Sequence, residues 1–453
     1  MRAGRLDQLW SSIADAGREL LRRRSGPRRR PVELLCRELL SVRGEASTLA
    51  LARELVETWR GMGEAERLSF FLLLARSFGP DVEAIRQAAE AYAREPGPGT
   101  LAQLRRVSES PRLELFRRMN TAPGGPRAIV ELRAELLRCI GTAPELAELD
   151  ADLHHLLASW FNPGFLTLSR IDWGSSAALL EKLKGYERVH RLRALEDFKR
   201  RLAADRRCFA FFHPVLPEEP LIFVQVALTS GLADRIGPLI DPSEPVRPPS
   251  EADTAIFYSI SNCQDGLRGV TLGNFLIKLV VATLQAELPQ ITSFATLSPV
   301  PGFARWLEEA LAGGAVLVSE PERALLQRLS EPGWWEDPSL AEALRPLLTG
   351  LCAWYLVRAK RRGRPVDPVA RFHLGNGARL ERINWLADTS AKGLAESYGI
   401  MVNYAYDPAR IEQNHELYVE GEVVHARAVE KLLAGRERFN ERAAPSLPVP
   451  AAG

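Results

Sequence analysis

Along the 453 residues the spacing of apolar positions changes character once, near Asn162. Upstream, apolar residues recur at steps of three and four. In 146–160, Leu146, Leu149, Leu153, Leu156, Leu157 and Trp160 form one stripe, and Pro144 stands at the first turn, where its missing N–H costs nothing. Comparable stripes predict helices over 32–60, 64–78, 81–94 and 126–140, separated by EPGPGT at 95–100 and APGGP at 122–126. After NPGF at 162–165, short runs rich in β-branched and aromatic residues take over: CFAFF at 208–212, LIFVQVALT at 221–229, TAIFYSIS at 254–261 and GIMVNYAY at 399–406. Helical stripes lie among them, one through Leu272, Phe275, Leu276, Leu279 and Val280 and another over 339–362, while the Pro-rich 237–253 reads as a loop. The pattern predicts an all-α N-terminal unit, 1–161, and a mixed α/β unit, 162–453.

Composition narrows the function classes. Lys and Arg number 59 against 57 Asp and Glu, a net charge of +2, so no large single-sign field points to nucleic acid or a membrane surface. Seven lysines stand against 52 arginines, a bias assigned to a GC-rich bacterial genome. Five scattered cysteines without a CxxC pair read as reduced cytosolic thiols, giving no disulfide framework or zinc site. No apolar run reaches the roughly 18 residues of a membrane span. The arginine-rich first thirty residues include Asp7, Asp15 and Glu19, so they read as a frayed amphipathic helix with a basic tail rather than a transit peptide. His154 and His155 are adjacent on a helix and point in different directions, which speaks against a shared metal.

Three stretches carry candidate chemistry. In SISNCQDGLRGVTLGNFLIK (259–278) a strand ends near Ser261, Gly266, Gly269 and Gly273 punctuate a loop, and a helix opens at about Leu272. Loop and first-turn amides with the helix dipole make an anion site, to which Arg268 adds a full charge; a plain strand-to-helix turn fits the same residues. In FATLSPVPGFARWL (294–307) Pro299 and Pro301 stiffen the backbone around Ser298, whose hydroxyl is either a reacting group or an N-cap for a helix beginning near Pro301. In DPVARFHLGNGARLERINWLAD (367–388) His373 stands among Asn376, Asn384 and Asp388, suited to proton transfer near neutral pH or to a structural role. HExxH, GxSxG and Walker-type GKS/T patterns are all absent.

These stretches, with WFNPGFLTLSRIDW (160–173), HPVLPEEPLIFVQVALT (213–229) and GIMVNYAY, follow in an order that closely resembles the malonyl-CoA decarboxylase family. The resemblance implies a helical-bundle domain for oligomerisation and packing, followed by a catalytic domain of GNAT acetyltransferase-like fold. It implies that malonyl-CoA is the substrate and that acetyl-CoA and CO2 are the products, as in fatty acid metabolism. It makes Ser298 and His373 catalytic and places the CoA pyrophosphate at Arg268, Gly269, Val270, Thr271, Leu272, Gly273 and Asn274. Thr271 replaces the first glycine of the GNAT loop pattern, and Gln225 stands where some relatives carry an ionisable residue. Asn376, Asn403 and Tyr404 are expected as second donors. No metal, biotin or pyridoxal cofactor is implied, CoA being part of the substrate; a cytoplasmic homo-oligomer, dimer or tetramer, is. An acyl-CoA acetyltransferase and a non-catalytic acyl-CoA sensor are the competing readings.

Overall fold

The computed structural model describes residues 30–192, 195–270, 273–313 and 318–436, so the N-terminal tail reading falls outside the described residues. The first half is helical throughout, and the stripe at 146–160 behaves as its spacing requires. Pro144–Leu146 forms a 3-10 turn that leads into the helix Ala147–Trp160, and Leu146, Leu149, Leu153, Leu156 and Leu157 are buried. Each such burial contributes about 2 kcal/mol. They join Trp59, Phe70, Phe71 and Phe116 in a core that continues into the second half.

Three differences from the expected helices have local causes. The stretch 32–60 is two helices, Val32–Ser41 and Glu45–Arg60, parted at Gly44, whose extended backbone serves as the second helix's N-cap. Pro98–Ser108 and Pro111–Asn120 are further helices; their prolines sit at the first turn and start helices instead of breaking them. Pro338–Val357 is, contrary to expectation, long and apolar enough to cross a membrane by length and composition, yet 72% of that window is buried inside the protein. It is a core helix of the second half.

The second half is built on an eight-stranded mixed sheet. β1 (Thr167–Ile171), β2 (Arg206–Phe212), β3 (Ile222–Thr229) and β4 (Thr254–Asn262) run antiparallel in sequence order. β4 then pairs in parallel with β5 (Ser293–Thr296), which requires a crossover, and the helix Gly273–Glu287 supplies it. β6 (Ser298–Pro299) and, beyond a separate two-stranded ribbon of β7 (Lys360–Arg361) and β8 (Arg364–Pro365), β9 (Arg379–Asn384) both pair antiparallel with β10 (Met401–Ala405), which also meets β5 at Ala405–Ala295. The near-continuous apolar runs of β3 and β4 follow from burial on both faces. An all-α unit followed by a mixed α/β unit is the fold class expected from the sequence. Gln225, on β3, is fixed in a buried network: its amide donates to Glu187 Oε2 at 2.5 Å and its carbonyl accepts from Arg201 at 2.7 Å.

All five cysteines are free thiols, and burial pushes those of Cys36 and Cys208 up to about 12.

Candidate active site

The residue before a proline is biased toward extended backbone, and Ser298 adopts it: with Pro299 it forms β6, in register with Val402 and Met401 of β10. It does not cap a helix, because the helix that follows, Phe303–Ala312, begins later with Gly302 at its N-cap. Side chains two residues apart on an extended chain share a face, so Thr296 lies beside Ser298, and the Ser298 hydroxyl donates to Thr296 Oγ1 at 2.8 Å.

His373 arrives from a different element. Asp367 caps the helix Pro368–Gly375, accepting from the amides of Val369 (2.9 Å) and Ala370 (2.8 Å), and Pro368 fits the first position. The histidine sits on the last turn, 75 residues from Ser298 in the chain, with its Nε2 3.1 Å from Ser298 Oγ. Its Nδ1 is 2.8 Å from the hydroxyl of Tyr406, and its ring stacks on Tyr404 with centroids 4.8 Å apart. Ser298 and His373 are only 5% and 4% exposed.

Hydrogen positions follow from this arrangement. Burial pushes His373 down to about 3 and Tyr406 well above the usual phenol range, so both are neutral near pH 7. Since Ser298 spends its proton on Thr296, its oxygen accepts from Nε2–H, and Tyr406 O–H donates to Nδ1. The network therefore assigns the Nε2–H tautomer, and the donors run Tyr406, His373, Ser298, Thr296.

The remaining candidates divide. Asn403, expected as a second donor, has its amide hydrogens committed to Thr296 O (2.7 Å) and Ala233 O (3.0 Å), while its oxygen accepts from Asn384 and Arg382. It holds the Thr296 strand and does not face the dyad with a spare hydrogen. Tyr404 offers the histidine its ring face, and its hydroxyl is buried with no partner among the described residues. Asn376 caps the His373 helix at its C-terminal end and donates to Phe372 O at 2.7 Å, leaving its own buried oxygen without a partner among the described residues.

In the loop after β4, Arg268 and Gly269 are exposed, and Arg268 makes no ion pair among the described residues. Gly269 has φ +82°, a left-handed conformation, and Val270 donates to Leu267 O at 3.0 Å. Thr271 and Leu272 lie outside the described residues, as do the side chains at 273–275, including that of Asn274; Gly273 opens the crossover helix. A cleft of about 580 Å³ lies elsewhere, at the β1 edge between Ser169, Lys182, Phe212 and His213, so volume alone does not locate the chemistry. Among the described residues no three His, Cys, Asp or Glu side chains gather as a metal site would need.

Sequence reading missed Thr296, Tyr406 and Asp367. Thr296 and Tyr406 carried a usable signal, each standing two residues along an extended segment from a residue already singled out. Asp367 is fully buried, and that burial raises its carboxyl from 3.8 to about 6, against the lowering effect of the two helix amides and the Tyr355 hydroxyl. A raised folded-state value means the native protein binds this proton more tightly than the unfolded chain. On this group's account stability falls as pH rises from about 4 through 6, by about 3 kcal/mol in all. Asp367→Asn keeps the capping oxygen and removes the charge, so its stability relative to the parent rises between pH 4.5 and 7.5 in urea titrations. A pH-independent difference would contradict the assignment.

The family model described as malonyl-CoA decarboxylase C-terminal domain matches residues 164–443, and that of the N-terminal domain matches 78–161. The mitochondrial malonyl-CoA decarboxylase of Anser anser anser is 38% identical over 422 residues, 86% of this chain and 83% of that protein. The crystal structure of malonyl-CoA decarboxylase from Rhodopseudomonas palustris is similar at 47% identity and TM-score 0.85, covering 88% of this chain and 98% of that one. The corresponding structure from Agrobacterium vitis has the same identity and TM-score, with 88% and 99% covered. A family model that covers most of the sheet domain, and relatives aligned along most of its length, establish that the chain belongs to the malonyl-CoA decarboxylase family.

Proposed function

We propose that the chain decarboxylates malonyl-CoA at the Ser298–His373 pair. Breaking the bond between C2 and the terminal carboxylate releases CO2 and leaves the electron pair on the thioester as an enolate. The barrier lies in forming that enolate, and donors fixed in a dry pocket stabilise it most. A proton must then reach C2. On substrate binding the Ser298 O–H turns from Thr296 to supply it, Nε2–H of His373 refills the serine, Tyr406 O–H protonates Nδ1, a proton from water restores the phenol, and the imidazole exchanges back to its Nε2–H tautomer before the next turnover. The sequence runs downhill because an enolate carbon is a far stronger base than a phenolate. The observation that carries this reading is the buried donor chain with its neutral imidazole.

The thioester's phosphates are read onto the loop of Arg268, Gly269 and Val270 and the helix that opens at Gly273. The scheme uses no metal or organic cofactor. The proposed division of labour is a helical unit, 1–161, for packing and oligomerisation and a catalytic unit, 162–453, in a homo-oligomer of the bacterial cytoplasm serving fatty acid metabolism. Solution mass measured against that of one chain tests the oligomer.

Incubation of purified protein with malonyl-CoA alone is expected to give CO2 and acetyl-CoA in equal amounts. Acetyl transfer that needs an added acceptor would identify an acetyltransferase, and binding without products a sensor. Tyr406→Phe removes the last donor of the chain and is expected to lower kcat about tenfold with KM within about twofold. A parental kcat would exclude Tyr406 from the proton path.

A further inference from the structure

The loop that carries Arg268 and Gly269 is not supported by its own domain alone. Arg133, on the helix Gly125–Cys139 of the N-terminal half, is 3% exposed and reaches across to it. Its Nη1 donates to two carbonyls of the loop, Gly266 O and Arg268 O, each at 2.8 Å, while Nε is held by Asp150 Oδ1 at 2.8 Å from the neighbouring helix Ala147–Trp160. Backbone contact is closest at Gly266, where a Cβ would stand 1.9 Å from Val130 O. On the loop's other flank His154 Nε2 would lie 3.5 Å from a Cβ at Gly269. Two elements of the helical half therefore grip one short loop of the sheet domain.

The grip has a consequence for peptide orientation. In a trans peptide the C=O of one residue and the N–H of the next point in opposite directions. Drawing the Arg268 carbonyl toward Arg133 turns the Gly269 N–H away from the helical half, toward the exposed side where Arg268 stands. That amide donates to no acceptor among the described residues, whereas the amides of Leu267, Arg268 and Val270 are used within the loop. The left-handed φ of Gly269 accommodates the turn. Without Arg133 the two carbonyls lose their common donor, and the 268–269 peptide is free to present its oxygen where a phosphate requires its N–H.

We propose that Arg133 is a positioning residue for the nucleotide phosphates of acyl-CoA, so that the helical half sets coenzyme affinity although it contributes nothing to the reacting centre. The inference rests on the reading of Arg268, Gly269 and Val270 as the phosphate-binding loop. Two substrates separate it from a general structural role: malonyl-CoA, and malonyl-pantetheine, which has the same reacting group without the phosphates.

Arg133→Ala is expected to raise KM for malonyl-CoA about tenfold, the scale of one charge-assisted hydrogen bond, with kcat within about twofold. KM for malonyl-pantetheine stays within about twofold of the parent. Arg133→Lys, able to serve one carbonyl, gives an intermediate KM for malonyl-CoA, and calorimetry with free CoA shows the same order of Kd values. Where Arg133→Ala fails to fold, Asp150→Asn, which keeps the guanidinium and loosens its anchor, must show the same substrate split. An unchanged KM for malonyl-CoA, or equal losses with both substrates, overturns the proposal. A parent protein that releases CO2 while the variants show no split sinks this inference alone. A parent that neither releases CO2 nor binds CoA sinks the functional reading and the inference with it.

Discussion

Replacing His373 with alanine is expected to lower kcat for malonyl-CoA by about a thousandfold, within the range typical for loss of a positioned proton donor, while KM changes by less than about threefold. Among the described residues the imidazole alone links Tyr406 to Ser298, so its removal breaks both hydrogen bonds and leaves two buried hydroxyls without their shared partner. It also vacates the space against the Tyr404 ring. Ser298→Ala interrupts the same path nearer the substrate and is expected to cost about a hundredfold. The double variant should be little worse than His373→Ala, because the two groups act as one unit and their losses do not add. Initial rates of CO2 release decide the matter. Single variants that turn over at the parental rate, or losses that multiply in the double variant, would remove the pair from the mechanism.

The largest effect on stability is expected at Gly377, just past the helix that carries His373. Its φ of +79° is left-handed, and a Cβ there would meet Ile411 O at 2.1 Å and Ile411 C at 2.8 Å. Those are backbone atoms and cannot rotate aside. Gly377→Ala combines a backbone penalty of about 1 kcal/mol with an overlap costing about 1–3 kcal/mol. The midpoint of thermal unfolding should fall by about 2–4 °C. The displaced segment, Ile411–Val419, also carries Asn414, which donates to Gly377 O at 3.0 Å, so the end of the His373 helix moves with it. Gly99→Ala is the control: it lies in the helix Pro98–Ser108, nothing stands within 4 Å of the added methyl, and the exchange should be neutral or stabilising. Equal midpoints for the two variants would show that the Gly377 contact relaxes at no cost.

The sequence was most legible where one physical cause dominates. The leucine stripe at 146–160 and the runs that became β2, β3, β4 and β10 declare themselves because burial on a helix face, or on both sheet faces, leaves little room for polar residues. β1 and β9 hid for the opposite reason. TLSRI is an edge strand with most residues exposed, and RLERIN carries charges on a half-covered strand, so neither looks apolar. At the site, Ser298 and His373 could be singled out one at a time, and only the family resemblance joined them. Their contact depends on β6 pairing with β10 and on a helix start fixed by Asp367, neither of which has a local signature. The Arg133 contact was unreadable, since it unites residues 133 and 135 positions apart across two differently built halves.

A serine hydroxyl 3.1 Å from a histidine nitrogen is what reagents for serine hydrolases seek, and here the direction of the hydrogens defeats them. The imidazole gives its hydrogen to the serine instead of taking one, and the serine passes its own to Thr296. The oxygen is thus neither activated nor open to solvent, so fluorophosphonate probes should leave Ser298 unlabelled while labelling hydrolases in the same extract. A selective inhibitor would have to imitate the planar enolate, not trap a nucleophile.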